Sequence, residues 1–475
     1  MTRFLDPLDS AFALLEVPGS AMNIGAVIEL DFGDESDPTR RFERIRQNVA
    51  ARLHEIPVLT QRLVRSPFDL TWPVLVAEPR FDLDRHLRRV ALPSPGTPEQ
   101  FDDLISEFLS QPLAPFRPLW QLLVIEGLED GGVALALKVH HALADGVSGA
   151  ETFASLFDIS PEVRDPMPVT EVDPEWGPTT SLGLARRAVV ELLRHPDRLA
   201  RAVQGWATRL YAVVFALVRV TLLRGRRAET PHQPSLLEAR RCSLNAQPTA
   251  EKVFRRYRLP LAEVKRAAKS RDATVTDFVM TVVGGAARRL LEDRGERPRR
   301  DLIAFVPINV RGEGDTAEMG NRISGMLVAL HTGEPDAEAR LRAISRDARS
   351  TAGVQRTRAA QVFQDVPRVL GPTLLSWGTR ALAYLGLFDR LPPVANLMVS
   401  SVAGPPIPLW ISGHRVRSAA PVGPLFASFS LNVTVLGLSD HLEFGLLASS
   451  EAVPDLDALR GHLEAEACSL IATST

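Results

Sequence analysis

A chain of 475 residues that is 45% apolar and 24% charged is long enough for two cores rather than one. Its formal charge of −2 argues against a nucleic-acid partner, which would call for a basic excess. Only two cysteines occur, Cys242 and Cys468, far apart and in no pairing motif, so a disulfide framework is not expected and a reducing, cytoplasmic setting fits. The first residues lack an apolar signal region. No apolar run reaches the length of a spanning helix, so any membrane association is expected to be peripheral.

Taken in chain order, residues 25–32, 119–125 and 133–139 read as strands, and 40–53 and 98–109 as helices. The stretch 160–178 is rich in proline and acid and has the composition of a linker. From 182 to 227 the pattern becomes helical, apolar and basic, with Arg186, Arg187, Arg194, Arg198, Arg201, Arg209, Arg219, Arg224, Arg226 and Arg227 around Trp206, Tyr211 and Phe215. Such a segment fits a lipid interface with anionic headgroups, or a long helix bridging two domains. Beyond it, strands are expected at 254–259, 302–309, 323–330, 396–402 and 431–438, the last forming a hairpin with 441–448. Helices are expected at 275–293, 336–350, 367–386 and 456–471. The division this suggests is 1–165 as a first mixed α/β domain, 166–235 as linker and basic segment, and 236–475 as a second α/β domain.

The most informative run is His140-His141-Ala142-Leu143-Ala144-Asp145-Gly146, between the strand at 133–139 and a helical pattern at 147–157. A bare histidine pair at a strand end is ordinarily a core or surface feature. Here the acid, the glycine and the strand-to-helix loop suit a general base held toward a cleft, because neutral imidazole can take a proton from an attacking hydroxyl or amine. A metal site is the weaker reading, since adjacent histidines point to different sides of an extended chain and no other ligand lies at a suitable spacing. Asp145 reads as an ion partner that holds the loop, with Arg311 as its candidate cation, and Gly146 as a place where a Cβ would obstruct. His140 supports the loop or acts directly. No Gly-x-Ser-x-Gly elbow is present, and neither cysteine has a catalytic context.

With Pro7-Leu8-Asp9, Met22-Asn23-Ile24-Gly25, Arg117-Pro118-Leu119-Trp120, Val306-Pro307-Ile308-Asn309-Val310-Arg311, Gly320-Asn321, Gly404-Pro405, Pro421-Val422 and Leu431-Asn432-Val433-Thr434 in order around that heptad, nearly the whole chain resembles the bacterial wax ester synthase/diacylglycerol O-acyltransferase family. The resemblance implies two chloramphenicol-acetyltransferase-like α/β domains with a tunnel between them and the heptad at its centre. It implies transfer of a long-chain acyl group from acyl-CoA to diacylglycerol or a long-chain alcohol, with His141 as general base, no acyl-enzyme, no cofactor beyond the co-substrate acyl-CoA, and a membrane or lipid-droplet surface as partner. The family commonly carries an Asn-Asp pair on the first helix of the second domain, where this chain has Thr276-Asp277. Thr276 is therefore either an oxyanion donor or only the helix cap, with Asp277 favouring the helix dipole. Gln121, Asn309, Ser401 and Ala403 also depart from the common pattern, as in a divergent paralogue. Two rivals stay open: a condensation-type enzyme that takes its acyl group from a carrier protein, and a non-catalytic lipid-surface binder on the same scaffold.

Overall fold

The structure is a computed structural model that describes residues 2–33, 37–143, 155–163, 165, 180–194, 234, 238–296, 300–309, 323–351 and 358–473. The expected helix at 147–157 falls almost wholly outside the described residues. So does most of the basic segment at 182–227, of which only the helix Ser181–Arg194 is described.

Two six-stranded mixed sheets organise the chain. The first runs in the order β12 (Trp410–Ile411), β13 (His414–Val422), β2 (Asn23–Asp31), β7 (Val133–His140), β6 (Trp120–Glu126) and β5 (Leu87–Ala91). The second runs β10 (Ile323–Ala329), β9 (Ile303–Asn309), β11 (Leu397–Ala403), β14 (Leu431–Leu438), β15 (His441–Ser449) and β8 (Lys252–Pro260). A small third sheet joins β1 (Thr2–Phe4), β4 (Val74–Ala77) and β3 (Gln61–Val64). Both large sheets are mixed: β5 runs parallel to β6, and β11 parallel to β9 and β14. The α/β class expected from the sequence is the class observed.

Described helices in chain order are α1 (Pro7–Leu14), α2 (Pro38–Arg52), α3 (Pro98–Ser110), α4 (Ser181–Arg194), α5 (Leu261–Lys269), α6 (Val275–Asp293), α7 (Ala337–Thr351), α8 (Arg358–Tyr384) and α9 (Leu456–Ala472). Their ends follow local chemistry. Asp6 caps α1 through Leu8 N, and Thr97 with Gln100 forms a capping box on α3, each with proline in the first turn. α8 begins nine residues before the expected 367 and is broken at Gly371, whose φ of 70° interrupts it between Pro367 and Pro372.

The division at 165 and 235 does not describe sheet membership. β12 and β13 belong by sequence to the second half, yet β13 pairs antiparallel with β2 from Arg415↔Asp31 to Val422↔Gly25. The pairing is favourable because β2 would otherwise be an open edge of a buried sheet. α3 lies between the two halves: its Phe101, Ile105 and Phe108 share a core with Ala134 and Ala136 of β7 and with Phe254 and Leu447 of the second sheet. Arg256 on β8 crosses the same seam to Asp102 on α3 and Glu29 on β2. The second sheet is covered by α6, α7 and α9, where buried Arg340 of α7 and Glu466 of α9 form an ion pair joined by Arg289 of α6. Gly285 permits that pair, since a Cβ there would come within 2.3 Å of the Glu466 carboxylate.

Candidate active site

β7 delivers the histidines at its C-terminal end, where His140 is the last strand residue and His141 opens a short 3-10 turn, His141–Leu143. Two of the family-like segments noted in the sequence converge here. His140 N donates to Leu119 O at 2.9 Å and His141 N donates to Met22 O at 2.7 Å, so Arg117-Pro118-Leu119-Trp120 and Met22-Asn23-Ile24-Gly25 clamp the pair from two sides. In register, β7 lies between β2 (Asn23↔His140) and β6 (Trp120↔Val139). Trp120 is wholly buried, donates its indole N–H to Leu59 O at 2.7 Å and stacks on His86. Gly25 is required by proximity: a Cβ there would lie 1.8 Å from Leu137 O.

The two imidazoles do different things. Ala142 N donates to Nδ1 of His140 at 3.0 Å, which makes Nδ1 the acceptor and places the ring proton on Nε2. That nitrogen faces Glu16 Oε1 at 3.2 Å, and the same oxygen accepts from Met22 N at 3.1 Å. Burial pushes the Glu16 carboxyl up, but the His140 imidazole, the Met22 amide and Arg65 outweigh it and hold it below its ordinary value. His140 is thus buried and oriented.

His141 lies half-buried, face to face with the Phe12 ring at 3.8 Å between centroids, and its Nδ1 is buried with no hydrogen-bond partner among the described residues. Burial, opposed by a hydrogen bond with its own backbone and aided by the neighbouring His140, holds the imidazole down at about 4. At neutral pH this ring is uncharged. Among the described residues, the stack on Phe12 and the His141 N–Met22 O bond fix its place. Phe12 and Glu16 escaped the sequence reading, which singled out neither. The available signal was a short apolar helix with an acid just past its end, immediately before Met22-Asn23.

Other expected site residues divide between the second sheet and positions outside the described residues. Thr274, not Thr276, caps α6: its hydroxyl accepts from Asp277 N at 3.1 Å and the Asp277 carboxylate accepts from Thr274 N at 2.9 Å. This corrects the expectation of a Thr276 cap, and its physical reason is the Thr-x-x-Asp capping box, legible in the sequence at 274–277. Thr276 is exposed in the first turn, and Asp277 is buried with Ser345 Oγ donating to it at 3.1 Å. Asn309 ends β9 opposite Ile323. Asp145, Gly146, Arg311 and the proposed Asp145–Arg311 pair lie outside the described residues. A cavity of about 220 Å³ lined by Asp31, Arg415, Arg417, Asp440 and His441 sits at the other end of β2 from Asn23, roughly 26 Å along an extended strand, and is separate from the histidines.

Residues 5–279 match the model of the wax ester synthase/diacylglycerol acyltransferase catalytic domain, and residues 319–470 match that of the family's C-terminal domain. The chain belongs to the wax ester synthase/diacylglycerol acyltransferase family. A Mycobacterium tuberculosis protein named as a diacylglycerol O-acyltransferase is 31% identical over 95% of this chain and 87% of its own length. Another of that species, bearing the same activity name, is 31% identical over 99% of this chain and 98% of its own. Among solved structures, the wax ester synthase/diacylglycerol acyltransferase from Marinobacter aquaeolei VT8 superposes with a TM-score of 0.69 at 24% identity, covering 99% of both chains. The first condensation domain of the calcium-dependent antibiotic synthetase does so at 0.55 and 20%, covering 99% and 97%, which shows shared fold. Family membership thus rests on the sequence match, and the family's catalytic-domain model spans all the residues that converge on the histidine turn.

Proposed function

We propose that this chain moves a long-chain acyl group from acyl-CoA to the hydroxyl of diacylglycerol, and of a long-chain alcohol, with His141 as general base. The supporting observation is the state of His141: neutral at pH 7, stacked on Phe12, and fixed at the end of β7 by the Met22 carbonyl. In the step proposed, His141 takes the hydroxyl proton as the oxygen attacks the thioester carbonyl. The tetrahedral oxyanion collapses, the C–S bond breaks, and the protonated imidazole returns the proton to the leaving CoA thiolate. A base of lowered pKa accepts the proton in concert with attack rather than before it. Oxyanion donation falls to the Thr276 hydroxyl or to α6 first-turn amides. Asp145 and Arg311 hold the loop as an ion pair, with Gly146 admitting close approach. The acceptors are water-insoluble, so the enzyme works against a membrane or lipid-droplet surface, with the basic segment 182–227 facing it.

His141→Ala tests the chemistry. Product quantification by mass spectrometry with a panel of acyl-CoAs and alcohols is expected to show a loss of about two to four orders of magnitude in turnover, with the fold intact. Substantial turnover by a folded variant would remove His141 from the reaction.

A further inference from the structure

Phe68 lies in the short turn Pro67–Asp69 with φ 56° and ψ 16°, and Asp69 beside it has φ 51°. A bulky side chain adopts that left-handed conformation only where its surroundings over-determine it. They do here. Arg65 donates to both Asp69 carboxylate oxygens at 2.8 and 2.7 Å, Ser376 donates to the same carboxylate at 2.7 Å, Thr373 to Asp69 O at 2.9 Å, and the Trp377 indole to Phe68 O at 3.2 Å. The turn is bolted to the second half of α8. Yet the clamp exposes its aromatic ring: Phe68 is 69% exposed, beside Trp377 at 48%, with centroids 6.3 Å apart.

Trp377, Arg380, Ala381 and Tyr384 occupy positions i, i+3, i+4 and i+7 of α8 and are all exposed, Tyr384 to 93%. That spacing marks a single helix face, and it carries two exposed aromatic rings beside one arginine where an exposed face is ordinarily polar throughout. α4 borders the turn through Ser181 Oγ, which donates to Arg65 O at 2.6 Å, and it exposes Leu182, Arg186 and Val189 at i, i+4 and i+7. Across 65–72, 181–190 and 373–385 there are four arginines, Arg65, Arg186, Arg187 and Arg380, against a single carboxylate, Asp69, which is buried.

We propose that Phe68, Trp377 and Tyr384, with Arg380 and Arg186 around them, form the face by which this protein docks on a lipid surface bearing anionic headgroups. Trp and Tyr join an apolar ring to a polar tip, the composition of a membrane–water boundary, and guanidinium groups suit lipid phosphates. A two-fold dimer through this face would bring two positively charged patches together, which disfavours a second copy as the occupant. The inner side of the same helix packs Leu375 against Ala11 and Leu14 of α1, the helix that carries Phe12 to His141. The docking face is therefore one helix layer from the base. The inference deepens the surface-association part of the proposed function and is independent of its chemistry.

Phe68→Gly separates docking from folding, because glycine relieves the left-handed strain while removing the ring. Flotation of the full chain with vesicles of phosphatidylcholine containing phosphatidylglycerol is expected to show binding, quenched by salt. Phe68→Gly combined with Tyr384→Ala should weaken it about tenfold or more at an unchanged or raised melting temperature, and Arg380→Gln with Arg186→Gln should reduce its salt dependence. Bromolipid quenching of tryptophan fluorescence should fall in Trp377→Phe. His141→Ala should float like the parent, and the docking variants should keep activity on a short, soluble alcohol, so failure of docking and failure of catalysis are read separately. Unchanged flotation of the Phe68 and Tyr384 variant overturns the proposal. A shift in its sedimentation coefficient with flotation intact would assign the face to self-association instead.

Discussion

With Ala142 N–H pointed at its Nδ1 and Glu16 at its Nε2, His140 has both ring nitrogens committed, whereas the Nδ1 of His141 has no hydrogen-bond partner among the described residues. Under the proposed mechanism, this asymmetry fits positioning for the first histidine and chemistry for the second. Glu16→Ala is expected to lower kcat on the order of 10- to 100-fold with KM little changed, because the turn loses its register to Met22 while the substrate-binding surface is untouched. Glu16→Gln, which keeps an acceptor oxygen, should recover most of the loss; steady-state kinetics on both variants checks this. The pH dependence has a defined sign. As the proposed base, His141 must be neutral to act, and burial holds its pKa down at about 4, so the acidic limb of kcat/KM should fall near pH 4 and activity should be flat from about pH 5.5 to 8. The unfolded chain takes up that proton near 6.5, so stability should decline as pH falls from about 6.5 toward 4 and level off below. An acidic limb near 6.5 would show that the ring is solvated in the working enzyme.

At the level of elements, α2 is pinned to the chain that returns after the histidine turn by a wholly buried, bidentate pair: Arg52 Nη2 donates to both Asp158 oxygens at 2.8 and 2.9 Å, and its Nη1 to the carbonyls of Ser155 and Leu156. Asp158 also bridges Trp410 through two backbone bonds. Removing one charge leaves the other stranded, so Asp158→Ala should cost about 3–5 kcal/mol in urea unfolding, whereas Arg52→Met with Asp158→Leu should lose less than the sum of the single changes. Legibility of the elements from sequence follows their locality. β14 and the hairpin to β15 stand out by β-rich apolar runs around Ser439-Asp440, and α6 by a 19-residue pattern with a cap, and both are found at or within a residue of the expected bounds. β5, exposed along most of its length, and β13, which carries two arginines and a proline, have no such pattern, because their stability comes from partners far away in the chain. The histidine motif was legible for the same local reason. Its supports at Phe12 and Glu16 were not, since only the fold brings α1 to the end of β7.

For the molecule as a whole, β13 in the first sheet, α3 between the sheets and Arg256 bridging Asp102 and Glu29 leave no clean seam between the halves. Urea unfolding followed by tryptophan fluorescence and by far-ultraviolet circular dichroism is expected to give coincident single transitions, and a fragment ending before residue 410 should fail to fold. Two separated transitions would show that the sheets are energetically independent. The same crossing strand also sets a clock during synthesis. At roughly 5–20 residues per second, β2 and β7 are complete about 15 to 60 s before Val422 is made. Through that interval β2 presents an unpaired strand edge, the kind of surface that pairs with other chains, and only the arrival of β13 closes it.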